Sequence, residues 1–253
     1  MGDFVRALGL LTTLPVRPQW DETVKPGRAM AWYPLAGLIV GALATAPAFA
    51  LARLGVADRA PLLTAALVLA AWVALTGALH LDGWADCCDA LFVPADREKR
   101  LAIMKDPRLG SFGAVGLILL LLVKLAALQA FPGHRAASLA ALPLIACLAR
   151  AAVVVAAWRA PLAKREGMAF YMRQSIGPRE VVIACLTALV ALIAAGFALG
   201  PVVLAPLLAV ALAGPGMAAL ATRRLGGLTG DVYGAMIELG ETAALAALVL
   251  AGV

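Results

Sequence analysis

The chain has 253 residues, of which 63% are hydrophobic and only 14% are charged, and its mean hydropathy is +0.94. Soluble domains are typically about 45–50% apolar, so this composition excludes a soluble protein and predicts a polytopic membrane protein. The formal net charge is +6, but the basic residues follow the loops between apolar segments, which argues against nucleic acid as their partner.

A charged segment that contains prolines, residues 1–30, precedes the first apolar stretch and is predicted to be cytoplasmic. Stretches of about 20 apolar residues, the length that crosses about 30 Å of hydrocarbon, then follow at 33–52, 61–80, 111–131, 136–158, 180–199, 202–221 and 232–252. The pattern predicts an all-α bundle of about seven transmembrane helices in a single integral membrane domain, residues 1–253. Gly200 and Pro201 predict either a very tight turn or one broken hairpin.

Lysines and arginines are divided unequally between the two sides of this predicted bundle. Sixteen of the 21 fall in the segments 1–30, 82–110, 159–179 and 222–231. The opposite set of segments holds only Arg53, Arg59 and Arg135. By the positive-inside rule, this bias predicts a cytoplasmic amino terminus in a multi-pass membrane protein.

Two further cations, Lys124 and Arg150, fall inside apolar spans. Lys124 is near the outer end of its predicted helix, so we expect its side chain to snorkel to the surface. Arg150 is predicted to reach either the interface or a polar cavity.

Three aspartates, Asp82, Asp86 and Asp89, follow the second apolar span in the stretch LHLDGWADCCDALF. On a helix their spacing puts them on one face over two turns. A carboxylate at the bilayer centre costs about 2.5–3.5 kcal/mol, and like charges on one face repel, so the pattern predicts a cation site at an interface. The alternative is that these acids only cap and solvate a loop.

A second set of acids, Asp231, Glu238 and Glu241, shares one face of the last predicted helix. Because a helix rises about 1.5 Å per residue, Glu241 would lie about 15 Å below Asp231. A buried Glu241 needs a partner, for which Arg150 is a candidate. The alternative is a shallower helix whose glutamates are solvated.

Carboxylates without histidine or cysteine clusters favour Mg²⁺ or Mn²⁺, and Mg²⁺ usually keeps water and substrate phosphates among its ligands. We therefore predict Mg²⁺ or Mn²⁺ as the cation and a phosphate-bearing substrate. The predicted metal ligands are Asp82, Asp86, Asp89, Asp231 and Glu238.

Basic residues that could hold the phosphate lie beside both sets of acids, in the cytoplasmic segments 82–110 and 222–231, which are the predicted active-site segments. They are Lys105, Arg108, Arg223 and Arg224. Gly110 and Gly113 lead into the third predicted helix, whose free N–H groups could also face an anion. His80 is a candidate for proton transfer at the aspartates, and its alternative is a hydrogen-bonded structural role.

Several blocks of the sequence, in order from end to end, resemble one known family. They are FVRALGLLTTLPV, AWYPLAGLIVG, TGALHLDGWADCCDALF, RLAIMKDPRLGSFGAVGL and GDVYGAMIELGE. Together they are similar to the cobalamin synthases, the adenosylcobinamide-GDP ribazoletransferases of bacteria. The family pattern reads closer to LHLDGLADTADG, so this chain departs from it at Trp84, Cys87, Cys88 and Ala90 but retains the carboxylates.

The resemblance implies a Mg²⁺-dependent membrane enzyme that joins α-ribazole, or its 5′-phosphate, to adenosylcobinamide-GDP and releases GMP. With it, the catalytic candidates are Asp82, Asp86, Asp89 and His80, and the basic residues would clamp the leaving GMP. The expected partners are these two substrates and the lipid bilayer, and the sequence leaves a homo-oligomer open.

Two other functions remain open from the residues. A phosphotransferase of the CDP-alcohol type also uses aspartates at helix ends, although DGWADCCDAL lacks further residues of that pattern. An ion-coupled transporter would use Glu238, Glu241, Lys124 and Arg150 as a pathway through the membrane.

Overall fold

The computed structural model describes residues 2–20, 24–130 and 136–252. Residues 1 and 21–23 of the predicted amino-terminal segment, and Arg135 of the outer set of cations, lie outside the described residues. The described chain is helical, with no strand beyond an isolated bridge between Leu162 and Leu228. The prediction of an all-α membrane bundle is confirmed.

The helices follow one another along the chain with short connections. Their bounds are α1 Gly2–Leu11, α2 Tyr33–Ala44, α3 Ala46–Arg53, α4 Pro61–Thr76, α5 Leu79–Leu91, α6 Arg97–Ile103, α7 Ser111–Ala130, α8 Ala136–Arg159, α9 Met168–Arg173, α10 Pro178–Leu199, α11 Leu204–Leu225 and α12 Gly230–Leu250. Two 3₁₀ helices, Pro26–Trp32 and Gly200–Val203, precede α2 and α11.

Five helical stretches of the described chain are long and apolar enough to cross a membrane, and there are up to six if the bent pair α4 and α5 counts as one span. One of the five, Pro178–Leu225, is interrupted at Gly200, where φ is +61°, and therefore holds two helices, α10 and α11. Both pack against α8. The predicted turn at Gly200 and Pro201 is thus present, while the number of crossings and the orientation of the amino terminus stay predictions.

The second predicted span differs from the structure. Instead of continuing through residue 80, α4 ends at Thr76, and the chain turns by 90° into α5. Gly77 and Ala78 both adopt left-handed backbone conformations, with φ of +60° and +58°. Because two consecutive left-handed residues cannot continue a helix, the aspartates lie on a separate short helix rather than at the end of the span.

Helices α8 and α12 form the centre of the bundle, and most of their residues are buried. By contrast α7, α10 and α11 direct large apolar side chains outwards, as expected of helices that face lipid. Examples are Ile118, Leu119, Leu122, Val190, Phe197 and Leu212.

Helix α2 approaches α8 closely through two glycines, Gly37 and Gly41, which are spaced by four residues. A β-carbon at Gly41 would lie 2.5 Å from the backbone of Leu142 and Pro143, and one at Gly37 would lie 2.9 Å from Arg150 Cδ. Small residues with this spacing let helix backbones meet in membranes, where van der Waals packing replaces the hydrophobic effect. This contact fixes the position of α8 and of its buried arginine.

We expect Gly41→Ala to lower the stability of the protein by about 1–3 kcal/mol, because the new methyl group collides with backbone that cannot move aside. The measurement is thermal unfolding of the purified protein in detergent. Gly196→Ala is the matched control, because a β-carbon there would meet only Val203, at 3.9 Å. A Gly41→Ala protein that melts with the control would contradict this packing.

Candidate active site

Helix α5 carries the three aspartates and is held at both ends. At its start, the hydroxyl of Thr13 donates to the carbonyl of Ala74 at 2.8 Å, beside the turn that separates α4 from α5. At its end, the buried guanidinium of Arg100 donates to the carbonyls of Ala90 and Leu91 at 2.6 and 2.7 Å. An arginine on the last carbonyls of a helix satisfies acceptors that would otherwise lack a partner. The position of the acids is therefore fixed by the helix that bears them.

Helices α5 and α12 cross at two glycines. A β-carbon at Gly83 would lie 2.6 Å from the carbonyl oxygen of Asp231, and one at Gly234 would lie 3.2 Å from Cα of His80. Only glycine allows this approach, because any larger residue at position 83 would displace α12. The crossing brings the start of α12 next to the aspartates of α5.

Four aspartates consequently belong to one acidic cluster, which we call the aspartate cluster: Asp82, Asp86, Asp89 and Asp231. Asp82 is exposed, and the other three are half-buried. The carboxylate of Asp86 interacts electrostatically with all three of the others. The prediction that both ends of the sequence contribute acids to one place thus agrees with the structure for Asp231.

Asp89 has a structural role that the sequence did not reveal. Its two carboxylate oxygens accept hydrogen bonds from the backbone N–H groups of Gly110 and Gly113, each at 2.8 Å. A carboxylate at a helix amino terminus satisfies free N–H groups and complements the helix dipole. The amino terminus of α7 therefore already holds an anion, which is Asp89, and the expectation that its N–H groups face a substrate phosphate was wrong.

Asp231 is positioned by the first turn of α12. The hydroxyl of Thr229 accepts from the N–H of Val232 at 3.3 Å as the helix cap and donates to the carboxylate of Asp231 at 3.2 Å. The segment before Thr229 is bound to the chain after α8. The N–H of Leu228 donates to the carbonyl of Pro161 at 2.8 Å, and the N–H of Ala163 donates to the carbonyl of Leu228 at 3.0 Å. These contacts bring residue 164 towards the acids.

Lys164 is a cation close to the aspartate cluster, because its charge acts on both Asp86 and Asp231. Its side chain is half-buried and has no hydrogen bond or ion pair with another described residue. Sequence reasoning counted Lys164 only as part of the basic loops. No local motif marks it, because its proximity depends on the pairing of two distant loops.

Two of the predicted phosphate-binding cations, Lys105 and Arg108, form ion pairs with neighbouring acids. Lys105 pairs with Glu166 at 2.7 Å, and hydrogen bonds from Lys105 lower the pKa of Glu166. Arg108 pairs with Asp106 at 2.6 Å, and its hydrogen bonds lower the pKa of that carboxyl to about 2. Both pairs are solvent-exposed and therefore weak, so they could rearrange for a ligand.

Arg223 and Arg224 lie exposed at the carboxyl end of α11. Neither side chain contacts an acid among the described residues. Arg97 stabilises the turn after α11, because its guanidinium donates to the carbonyls of Leu225 and Ala163 at 2.7 and 2.8 Å. Arg223 and Arg224 stay predicted phosphate ligands, and Arg97 fixes the loops around them.

The glutamates of α12 belong to a separate cluster in the bundle interior, which we call the buried ion cluster: Lys124, Arg150, Glu238 and Glu241. Lys124 Nζ lies 2.5 Å from Glu238 Oε2 and 2.8 Å from Glu241 Oε2, and Arg150 Nη1 lies 2.7 Å from Glu241 Oε1. All four side chains are at most 5% exposed. Two cations and two anions make the cluster neutral.

The buried ion cluster tests three predictions made from the sequence. The expectation that Arg150 pairs with Glu241 is confirmed. The expectation that Lys124 snorkels to the surface was wrong, because its ammonium is buried and also lies 5.3 Å from the ring centre of Trp72. The geometry does not support Glu238 as a metal ligand, because a lysine occupies its carboxylate.

His80 is also placed with the buried ion cluster. Its ring is 3% exposed, and neither nitrogen has a hydrogen-bond partner in the described protein. The charges that act on it are those of Arg150, Glu241 and Lys124 rather than those of the aspartates. A direct role for His80 at the aspartates is therefore not supported by this arrangement.

The aspartate cluster suits Mg²⁺ by chemistry but is not a preformed cage. Within the described ranges, no group of three or more His, Cys, Asp or Glu side chains is arranged to hold a metal ion. Mg²⁺ is commonly bound by one or two carboxylates together with water and substrate phosphates. The oxygen donors of Asp82, Asp86 and Asp231 fit a site that a phosphate-bearing substrate would complete.

Comparison with known proteins gives one consistent result. The family model described as cobalamin-5-phosphate synthase matches residues 3–249. A protein of Pseudomonas aeruginosa named adenosylcobinamide-GDP ribazoletransferase is 42% identical over 249 residues, covering 96% of each chain. A protein of Rhizobium etli with the same name is 38% identical over 260 residues, covering 98% of this chain and 96% of its own. No solved structure matches the chain.

We expect Lys124→Met to reduce stability by about 3–5 kcal/mol, because it leaves Glu238 and Glu241 with one cation between them in the bundle interior. Thermal unfolding in detergent measures the loss. The double variant Lys124→Met with Glu238→Gln restores neutrality and should recover much of the stability, which gives a coupling energy between the two sites. Equal melting of the single and double variants would contradict the ion pair.

Asp89 and Asp82 should respond oppositely to replacement. Asp89→Ala removes the carboxylate at the start of α7, so we expect stability to fall by about 0.5–2 kcal/mol. Asp82→Ala removes one member of a repelling set and makes no bond in the described protein, so stability should be unchanged or slightly higher. Chemical unfolding of both variants in detergent tests the contrast, and an Asp89→Ala protein as stable as Asp82→Ala would refute the structural role.

Proposed function

The chain belongs to the cobalamin-5-phosphate synthase family, a family of transferases, and we propose that it joins α-ribazole, or its 5′-phosphate, to adenosylcobinamide-GDP. The products are adenosylcobalamin, or its 5′-phosphate, and GMP. The family match over residues 3–249 supports this reaction. The aspartate cluster is the structural observation that supports the location of the active site.

The reaction replaces a phosphoanhydride bond of the pyrophosphate by a phosphoester bond. A ribose hydroxyl of α-ribazole attacks the phosphorus that is attached to cobinamide, the bond from this phosphorus to the oxygen of GMP breaks, and GMP leaves with the bonding electrons. The hydroxyl proton passes to a base. Phosphoryl transfer depends mainly on alignment and on neutralising the charge of the phosphates, so the site needs cations and an acceptor for one proton.

We assign the acceptor to Asp86. It lies in the middle of the aspartate cluster and is half-buried, whereas Asp82 is exposed and Asp89 is engaged with two backbone N–H groups. A base must be within hydrogen-bond reach of the hydroxyl, and a central carboxylate with unoccupied oxygens meets this need.

Asp82 and Asp231 would hold Mg²⁺ against the pyrophosphate, which leaves Asp86 free to act as the base. When bound, the ion neutralises phosphate charge and stabilises the leaving oxygen. The carboxylates themselves repel one another, and this repulsion favours binding of a cation between them. Asp89 and Glu238 are left out of this proposed ligand set because their oxygens already have partners in the protein.

Lys164 is proposed to bind the pyrophosphate from the side opposite to the carboxylates. It is half-buried near Asp86 and Asp231 and has no acid bound to it in the described protein. Arg223 and Arg224, which are exposed at the end of α11, would reach the leaving phosphate. Together these cations supply charge that Lys105 and Arg108 would supply only after leaving Glu166 and Asp106.

The protein is proposed to act in the inner membrane with the aspartate cluster on the cytoplasmic side. The apolar helices support a multi-pass membrane protein. The basic segments lie near the aspartates, and the positive-inside rule places such segments in the cytoplasm.

The test is GMP release by the purified full-length protein in lipid nanodiscs, supplied with both substrates and a series of Mg²⁺ concentrations. We expect Asp86→Asn to reduce the rate at least about 100-fold, because general-base catalysis typically contributes about 10²–10⁴-fold. Asp82→Asn and Asp231→Asn should raise the Mg²⁺ concentration needed for half-maximal rate. Glu98→Gln, an exposed acid of α6, is the matched control.

Wild-type rates in all three aspartate variants would refute the assignment of the site. Growth of a strain that lacks the ribazole-joining step, when it carries this gene, tests the reaction independently of the residues. Ion uptake by proteoliposomes in the absence of GMP release would indicate a transporter instead.

A further inference from the structure

A second polar pocket lies apart from the aspartate cluster, between the segment that leads into the first 3₁₀ helix and the segment that leads from α9 into α10. Its volume is about 660 Å³, which is within the range of small-molecule sites. The larger groove between α8, α10 and α11 is lined almost wholly by apolar side chains, whereas this pocket is lined mainly by polar ones.

The walls of this pocket are fixed to each other. The N–H of Gly27 donates to the hydroxyl of Ser175 at 2.9 Å across a separation of 148 residues. A β-carbon at Gly27 would collide with the backbone of Met172 and Ile176, so the two segments are in direct backbone contact. On the other wall, the N–H of Gly177 donates to the carboxylate of Glu180 at 2.9 Å. The pocket is therefore part of the folded protein and not a gap between loose loops.

Three cations line the pocket without a counter-ion in the described protein. Lys25, Arg28 and Arg179 form no side-chain hydrogen bond or ion pair with another described residue. Glu180 is the acid in the described lining, and its carboxylate is held by Gly177. Two arginines and a lysine without an ion pair among the described residues attract an anion, and the guanidinium fork matches the geometry of a phosphate.

An aromatic ring lies at the edge of the same pocket. Tyr171 is 55% exposed, and its ring meets the edge of Phe170 at a centroid distance of 5.8 Å. More than half of Tyr171 is therefore accessible to a ligand. Rings of this kind stack on nucleobases whatever the base, because every base has a π-face. A phosphate site next to a stacking site is the combination that a phosphorylated nucleoside needs.

We propose that this pocket binds a phosphorylated nucleoside such as released GMP, with the phosphate on Arg28 and Arg179 and the base against Tyr171. The assignment to GMP rests on the proposed function, in which GMP is the leaving group. The recognition of a phosphorylated nucleoside rests on the residues of the pocket alone. A free phosphate or an anionic lipid headgroup shares part of this chemistry, and the experiment separates them.

The experiment measures equilibrium binding of radiolabelled GMP to the full-length protein in nanodiscs of phosphatidylcholine, without the corrinoid substrate. We expect Arg28→Gln and Arg179→Gln each to weaken GMP binding about tenfold, since each removes a charge-assisted contact. Arg179→Lys should retain more binding than Arg179→Gln. Lys99→Gln is the matched control, because Lys99 is exposed on α6 and does not line the pocket.

Competition identifies the ligand. Unlabelled GMP should displace the label at lower concentration than ribose 5-phosphate or inorganic phosphate, and Tyr171→Leu should remove this preference. Equal competition by ribose 5-phosphate would refute recognition of the base. Displacement by phosphatidylglycerol in the nanodisc, with no effect of free phosphate, would show a lipid site and overturn the proposal.

These experiments distinguish failure of this inference from failure of the proposed function. If the protein transfers ribazole but the arginine variants bind GMP as tightly as Lys99→Gln, this inference fails and the proposed function stands. If the protein binds GMP through the arginines but transfers no ribazole, the pocket stands and the proposed function fails. Absence of GMP binding to the unchanged protein overturns the pocket.

Discussion

The rest of the structure depends on a neutral set of buried charges that joins three helices. Lys124 of α7 and Arg150 of α8 meet Glu238 and Glu241 of α12 in the buried interior of the bundle. Removing one charge from such a set leaves another without a partner, and this is far more costly than the pairing itself is favourable. The set therefore contributes specificity more than net stability, because another arrangement of the three helices would separate these charges from one another.

The arrangement of α12 then determines the active site. With Glu238 and Glu241 fixed in the interior, the amino end of the same helix brings Asp231 to Gly83, and α5 can pass only because position 83 lacks a side chain. The amino end of α7, whose Lys124 belongs to the buried set, receives Asp89. The buried ion cluster thus fixes both α7 and α12, two helices that pack against α5. The aspartate cluster is therefore positioned indirectly by the buried ion cluster.

Much of this organisation could be predicted from the sequence. Apolar length identified the spans α7, α8, α10, α11 and α12, since a helix in lipid must satisfy its backbone internally and therefore needs a long apolar run. The spacing of Asp82, Asp86 and Asp89 placed them on one helical face, and the need of a buried glutamate for a cation suggested Arg150 for Glu241. These inferences rest on local geometry and on the cost of unpaired charge.

What the sequence could not supply depends on contacts between distant segments. Lys124 looked like a snorkelling lysine because nothing in its neighbourhood reveals a carboxylate 114 residues away. Asp89 looked equivalent to Asp82, although only the fold brings Gly110 and Gly113 to it. The 90° turn at Ala78 was missed because left-handed alanine is rare and has no compositional signal.

That turn has a consequence for how the acids meet water. Seven residues of helix separate Asp82 from Asp89, which is about 10 Å of axial rise. Had α4 continued straight, this rise would have been a difference in depth, and the acids would have met successively drier surroundings. Because α5 leaves α4 at a right angle, the same rise runs sideways, and a bilayer crossed by α4 would present all the acids at one level. Under the proposed function, the charged pyrophosphate would lie along them without entering the hydrocarbon.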